Sequence, residues 1–513
     1  MEPVVHTKSG PVRGLLRDGI ASFLGIPYAA SPIGELRFAA PVPPEPWTDV
    51  RDATAFGPTP PKPAFPAPFD TLLKEPSIAG DDWLNLNVWT PHNSHGGADS
   101  ARLRHGVDSA RLRHDLPVMV WIHGGAFANG SSAVPWYDGH AFAKAGVVLV
   151  TINYRLGVDG FALLPDAPAN RGLLDQIAAL EWVRDNIGAF GGDPANVTIF
   201  GESAGAMSVI TLLSLPRAEG LFTKAIAQSG AAQAAADPAD AALVTAELGE
   251  ALGTSLADTD VTAAGLAEVD LDALIAAQAT VRDALGADPN PARFGETIVA
   301  SSMPFIPVID GELIAEHPLA AIASGAGSSV TLLIGTNTEE FRLFLVPPGT
   351  VNMITADALP FVGTAIGASQ GVIDRYQANR PDASPGDIFA ALVTDKFFRL
   401  PALAVAEARS GGQAATYFYE FNWGHPPIGA GHSLEIPFVF DNLAAAADDE
   451  VIGSDPPQEL ADEMHAAWVR FATTANPGWP AFDHRRPVRI FDADGGSIEH
   501  DPRGDERAIW PAG

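Results

Sequence analysis

The chain has 513 residues, a formal net charge of −31 and no cysteine. The missing cysteine excludes disulfides, Cys-ligated metal centres and a thiol nucleophile. The acidic balance argues against nucleic acid or an anionic membrane surface as partner. With 47% hydrophobic and 18% charged residues the chain has the apolar content for a large core, and its 50 glycines and 44 prolines predict many loops.

The first residues, Met1 to His6, show no basic stretch leading into an apolar one, and no apolar run approaches 18 residues. The expectation is a soluble, cytoplasmic protein without a membrane span. Short β-like runs open the chain. Val4-Val5 and residues 12–16 read as a hairpin around Ser9-Gly10-Pro11, residues 23–28 follow, and 57–68 form a Pro-rich loop. Residues 84–89 alternate apolar and polar.

A tandem repeat lies at 99–114, where Asp99 to His105 recurs as Asp108 to His114. Its period of nine is far below solenoid length, so it reads as a duplicated surface loop. His92, His95, His105 and His114 lie in or beside it; a solvated loop is preferred to a metal site, and no metal is expected.

Continuous apolar runs at 117–122 and 147–152 suit strands buried on both faces, as in a parallel sheet. A Gly-rich loop and a short helical stretch lie between them. Leu173, Ile177, Leu180 and Ile187 then recur at helical spacing. Residues 231–300 and 350–410 are helix-prone and read as helical insertions on one core. Strand signals return at 330–335 and 416–421. This β-then-α rhythm predicts an α/β protein, with a large, mostly parallel central sheet flanked by helices, and one domain over 1–513.

The chemistry concentrates at Val197-Thr198-Ile199-Phe200-Gly201-Glu202-Ser203-Ala204-Gly205. It reads strand, G-x-S-x-G, then a small-residue helix, the context of a nucleophile elbow. The turn lifts the Ser203 hydroxyl above the sheet, and Gly201 and Gly205 leave it room. His123-Gly124-Gly125-Ala126 follows the strand at 117–122. Its backbone N–H groups, with that of Ala204, are placed to hold a developing oxyanion. His123 reads as a residue that shapes this loop. A serine needs a base and the base an orienting carboxylate, in the chain order Ser, acid, His. Glu339 or Glu340 follows the strand at 330–335, and His425 or His432 lies further on. Spacing leaves both choices open.

The chain resembles the type-B carboxylesterases, the α/β-hydrolase family that includes bacterial para-nitrobenzyl esterases and the cholinesterases. The resemblance runs over nearly the whole length. It is carried by FLGIPYAASPIGELRF at 23–38, DWLNLNVW at 82–89, the segment 190–205 around Ser203, WVRFA at 468–472 and NPGWP at 476–480. It implies Ser203 as nucleophile, Glu340 as acid and His432 as base. It implies Gly124, Gly125 and Ala204 as the oxyanion hole, with Glu202 and Ser229 supporting the triad. It further implies no cofactor and a small ester substrate with a short-to-medium acyl chain. The HGGA loop implies room for esters of bulky alcohols. The oligomeric expectation is a monomer or small homo-oligomer.

Three departures stand out. Trp83 occupies a frequent disulfide-cysteine position, Phe341 replaces the glycine usual after the acid, and Ala206 replaces a frequent glycine after the elbow. The loop at 92–116 is longer than usual. Two other readings stand beside this one: a same-fold amidase, carbamate hydrolase or lipase, and a non-catalytic binding module. Retention of all three triad residues speaks against the module, and no amphipathic lid speaks for a lipase. Phe127, Trp136, Phe294, Phe341 and Phe344 are candidates for the substrate pocket.

Overall fold

In the computed structural model, residues 2–92, 115–253, 261–446 and 451–511 are described. The duplicated segment 99–114, with His95, His105 and His114, lies outside them.

Fourteen strands form among the described residues. Three make a small N-terminal sheet: β1 (Val4–His6), β2 (Pro11–Arg13) and β5 (Arg51–Asp52). The rest are β3 (Leu15–Arg17), β4 (Ile20–Pro27), β6 (Asn85–Pro91), β7 (Leu116–Ile122), β8 (Val148–Ile152), β9 (Gly192–Glu202), β10 (Lys224–Gln228), β11 (Thr331–Asn337), β12 (Thr416–Phe421), β13 (Pro487–Phe491) and β14 (Ser497–His500). They form one 11-stranded sheet in the order β14-β13-β12-β11-β10-β9-β7-β8-β6-β4-β3. From β8 to β13 the neighbours run parallel, and antiparallel pairs close both margins. This is the mostly parallel α/β sheet that the sequence rhythm predicts.

The apolar runs explain why these strands sit in the middle. In β7, Val118, Val120 and Ile122 point into the apolar core on one face, while Met119 and Trp121 enter a second core on the other. The same two-residue alternation divides Ile199 from Phe200 and Leu332 and Ile334 from Leu333. A strand covered by helices on both faces has no reason to alternate with polar residues.

One expectation needs correction. The run at 12–16 does not form one hairpin arm. Val12 pairs with Val5, but the chain breaks at Gly14, and Leu15–Arg17 pairs with β4 in the large sheet. A Cβ on Gly14 would lie 2.7 Å from the Phe23 ring, so the bend there needs glycine. The alternating stretch 84–89 enters β6 at Asn85, with its polar members inside the protein. Asn85 and Asn87 are buried, and Asn87 donates to Ser132 Oγ (3.0 Å) and Thr151 Oγ1 (2.9 Å) while accepting from the Gly25 N–H (2.9 Å). Satisfied hydrogen bonds remove the penalty for burying these amides.

The helix-prone stretches are helical. They include Pro238–Ala251, Leu271–Ala287, Gln370–Asn379, Pro385–Thr394 and Leu400–Ala408. Asp270 and Ser384 cap two of them, the latter in a reciprocal capping box with Asp387.

The topology places the functional crevice. The chain passes from β7 to β8 on one side, then crosses back to β9 on the other side of β7 and continues outward through β10, β11 and β12. The connections leaving the carboxyl ends of β7 and β9 therefore diverge. A crevice opens between them, the switch point where open α/β sheets bind ligands. Residues 123–125 and Ser203 sit at its two lips.

Candidate active site

Ser203 stands at the abrupt passage from β9 into the helix Ala204–Ser214, with φ 55° and ψ −124°. For a non-glycine residue this is a strained conformation, of the kind held only by surrounding structure. Hydrogen bonds hold it: the Ser203 N–H donates to Gln228 O at 2.9 Å, and Ser203 O accepts from the Met207 N–H at 2.9 Å. Gly205 lies against the end of β7, where a Cβ would overlap Ile122 O, and a Cβ on Gly201 would strike Gly205 itself. Only glycines let the turn close against β7.

Gly124 abuts the elbow. A Cβ there would lie 2.8 Å from Glu202 Oε2 and 3.1 Å from Ser203 Cβ. Gly125 has φ 110°, which glycine alone adopts comfortably. The Gly124 and Gly125 N–H groups donate to no protein acceptor among the described residues. Ala204 begins its helix, so its N–H has no acceptor one turn back. Three unused donors thus flank Ser203. His123 fixes the loop that carries two of them. It is fully buried, stacks on Tyr154 at 4.5 Å and donates from Nδ1 to Gly124 O at 2.8 Å. Burial holds its pKa at about 3, so it stays neutral.

His432 and Glu340 arrive from the loops after β12 and β11. His432 Nδ1 lies 2.7 Å from Glu340 Oε2, and the His432 N–H donates to Glu340 O at 3.2 Å. Glu340 Oε1 accepts from the Asn337 N–H at 2.8 Å. The alternatives left open by spacing separate here. Glu339 is half-exposed and accepts from the Ala430 N–H at 3.0 Å, while His425 lies outside the cavity that His432 lines. Phe341 fits where a glycine is usual, since its φ is −74° and its N–H donates to Thr394 Oγ1 at 3.0 Å. Ala206 is buried within the elbow helix, and Trp83 is buried in the main core.

Glu202 is buried, and its Oε1 lies 3.1 Å from His432 Nε2 and accepts from Ser433 Oγ at 2.6 Å. Burial, reinforced by Glu435 and Glu340, pushes its pKa up to about 8, against the pull of His432 and Ser433. Burial opposes charge on His432, but Glu202 and Glu340 outweigh it and raise its pKa to about 9. Both shifts favour the protonated forms of Glu202 and His432. Ser203 Oγ makes no hydrogen bond to His432, a common condition before substrate arrives. Ser229 is buried at φ 53°, and its hydroxyl has no hydrogen-bond partner among the described residues.

Several participants escaped the sequence reading. Glu435, three residues after His432, is a third buried carboxylate; it accepts from Gln228 Nε2 (3.1 Å) and Asn337 Nδ2 (2.8 Å). Phe398 and Phe344 pack on His432 at 4.8 and 5.4 Å. Nothing in the sequence context marks Glu435 or Phe398. Ser203, Gly124, Gly125 and His432 line a narrow cavity of about 160 Å³, with Phe65, Glu75, Trp136, Tyr137 and Phe344. Trp136 and Phe344 match the expected pocket aromatics. Phe127, Phe294 and Phe341 do not line this cavity. Phe127 and Phe294 are wholly in the core, and Phe341 packs against Phe344 and Phe397.

Among the described residues no group of three or more His, Asp or Glu could hold a metal ion, and no helix is long and apolar enough to cross a membrane.

A G-x-S-x-G elbow at the switch point of this sheet, with a buried His–Glu pair and a glycine loop beside it, defines a serine hydrolase of the α/β-hydrolase fold. The chain belongs to the carboxylesterase family, whose model matches residues 1–488. It is 39% identical to the para-nitrobenzyl esterase of Bacillus subtilis strain 168, over 98% of this chain and 97% of that one. It is 33% identical to a human cocaine esterase, over 94% and 86% of the respective chains. Among solved structures it is similar to the carboxylesterase EST55 of Geobacillus stearothermophilus at pH 6.2, with TM-score 0.81, 37% identity and 99% of both chains covered. The protein is a serine carboxylesterase that acts on small ester substrates.

Proposed function

We propose that Ser203, His432 and Glu340 carry out this hydrolysis, with the oxyanion held by Gly124, Gly125 and Ala204. The observation that carries the assignment is the 2.7 Å contact of His432 Nδ1 with Glu340, in a cavity that Ser203 and the glycine loop also line. Neutral His432 takes the Ser203 proton through Nε2 as Oγ attacks the ester carbonyl. Glu340 holds the ring and stabilises the imidazolium. The negative oxygen of the tetrahedral intermediate takes the three free N–H groups, which are fixed before reaction and need no reorganisation. His432 returns the proton to the leaving alcohol. Water then repeats the sequence on the acyl-enzyme.

Glu202 acts on His432 through its charge, and Ser229 supports the turn beside Ser203. The small volume of the cavity, about 160 Å³, supports short-to-medium acyl chains. Residues 1–513 act as one unit, a cytoplasmic monomer or small homo-oligomer without nucleic-acid partners.

The test is hydrolysis of p-nitrophenyl acetate, butyrate and palmitate by wild type and Ser203→Ala. Activity on the two short esters, weak activity on palmitate and a loss of at least ~10³-fold in the variant are expected. An active Ser203→Ala protein would remove the nucleophile assignment, and palmitate as best substrate would remove the acyl-chain reading.

A further inference from the structure

We propose that Glu75, seated by Lys62, is a positioning residue that clamps the oxyanion loop from the substrate side of the cavity. The inference rests on the role proposed above for Gly124 and Gly125.

The loop 123–130 is held from the protein interior by known means. Tyr154 donates its hydroxyl to His123 O at 2.8 Å, and Phe127 O accepts from the Gly157 N–H at 2.7 Å. Gly125 O accepts from the N–H groups of Ala128 (3.0 Å) and Asn129 (2.8 Å), so the turn closes on itself. These contacts leave the far end of the loop, Gly130, to be fixed from elsewhere.

Glu75 supplies that contact. Its Oε1 accepts from the Gly130 N–H and pairs with Lys62 Nζ at 3.2 Å. Asn129 Nδ2 donates to Pro63 O at 2.6 Å and lies 3.5 Å from Glu75 Oε2. The Lys62 side chain also donates to Pro76 O at 3.1 Å. The segment 57–78 is thereby bound to the loop at two consecutive residues. Gly130 transmits the constraint inward. Its φ is 99°, and it lies so close to His123 Nδ1 and Gly124 O that a Cβ would overlap both. That imidazole is the one whose Nδ1–H holds Gly124 O. The orientation of the Gly124–Gly125 peptide, and hence of its N–H, is set by this chain of contacts. Displacing Gly130 would turn the donor away from where the oxyanion forms.

The ion pair is a poor device for stability alone. Only 3% of the Lys62 side chain and 9% of the Glu75 side chain are exposed. A buried pair recovers little more than its desolvation cost, and apolar residues of equal size commonly serve a fold as well. What apolar residues cannot do is accept the Gly130 N–H. Glu75 moreover lines the reaction cavity beside Ser203.

The test separates the acceptor from the charge. Lys62→Met/Glu75→Gln removes both charges and keeps an amide oxygen for the Gly130 N–H. Lys62→Met/Glu75→Leu removes the acceptor at similar volume. Glu75→Asp keeps the charge but withdraws the carboxylate by one methylene. With p-nitrophenyl butyrate, and with rates normalised to folded protein by circular dichroism, the Gln variant is expected within about threefold of wild type. The Leu and Asp variants are expected to lose about tenfold or more in kcat with KM within twofold, since losing a whole oxyanion donor costs ~10²–10³. Their inhibition constants for a trifluoromethyl ketone, which binds as the tetrahedral adduct, should rise by the same factor. Unchanged kcat in Glu75→Asp, or raised KM with unchanged ketone binding, would overturn the clamp while leaving the hydrolytic reading intact. A wild type inert toward every ester would sink that reading and the clamp with it.

Discussion

At the scale of single residues, the charge balance around His432 decides when the site is active. Three buried carboxylates, Glu202, Glu340 and Glu435, surround one imidazole. Their negative potential favours a proton on His432, and hydrolysis needs His432 neutral. The sign follows directly. kcat/KM should rise with pH as that proton leaves. Glu202→Gln removes the carboxylate beside His432 Nε2, lowers the His432 pKa and should move the acidic limb toward lower pH. A pH profile of kcat/KM for wild type and variant checks this; a limb that stays in place or moves upward refutes it. Ser203 and Glu202 were legible as residues because the elbow is a local motif. Spacing left Glu339 beside Glu340 and His425 beside His432, and family resemblance was needed to choose. Side chains that meet across strands carry no local signal, so Glu435, Glu75 and Phe398 went unread.

At the scale of elements, the apolar runs predicted the buried strands well, because burial on both faces leaves a continuous hydrophobic signature. The amide-bearing strand β6 was harder, since a buried, satisfied Asn has the same letter as an exposed one. Elements are also tied together by charges that periodicity does not show. Arg155, just after β8, forms a bidentate pair with Asp175 in the helix Arg171–Asn186, at 2.8 and 2.7 Å. It also donates to Arg37 O and Ala39 O, at 3.0 and 2.6 Å. Both side chains are buried. Asp175→Ala should therefore destabilise the protein by about 3–5 kcal/mol, because it strands a guanidinium without its partner. Urea unfolding should show a lower midpoint with an unchanged slope. A midpoint within error of wild type would mean that the carbonyls alone satisfy Arg155.

At the scale of the whole molecule, the net charge of −31 implies self-repulsion across the surface. The screening length falls from about 30 Å at 0.01 M to about 10 Å at 0.1 M ionic strength. Thermal unfolding in potassium chloride should therefore show Tm rising by a few degrees between 10 mM and 0.5 M, and a flat or falling Tm would contradict this. The sequence by itself determined the α/β class, the elbow at Ser203 and the glycine loop after β7. All three depend on neighbouring residues, through side-chain periodicity or the backbone freedom of glycine. Only the tertiary structure brings Glu340 to His432 in space, sets Glu202 against His432 Nε2 and lets Glu75 reach Gly130. Those contacts join residues 55 to 230 positions apart, and sequence spacing has no fixed relation to distance once the chain has crossed the sheet.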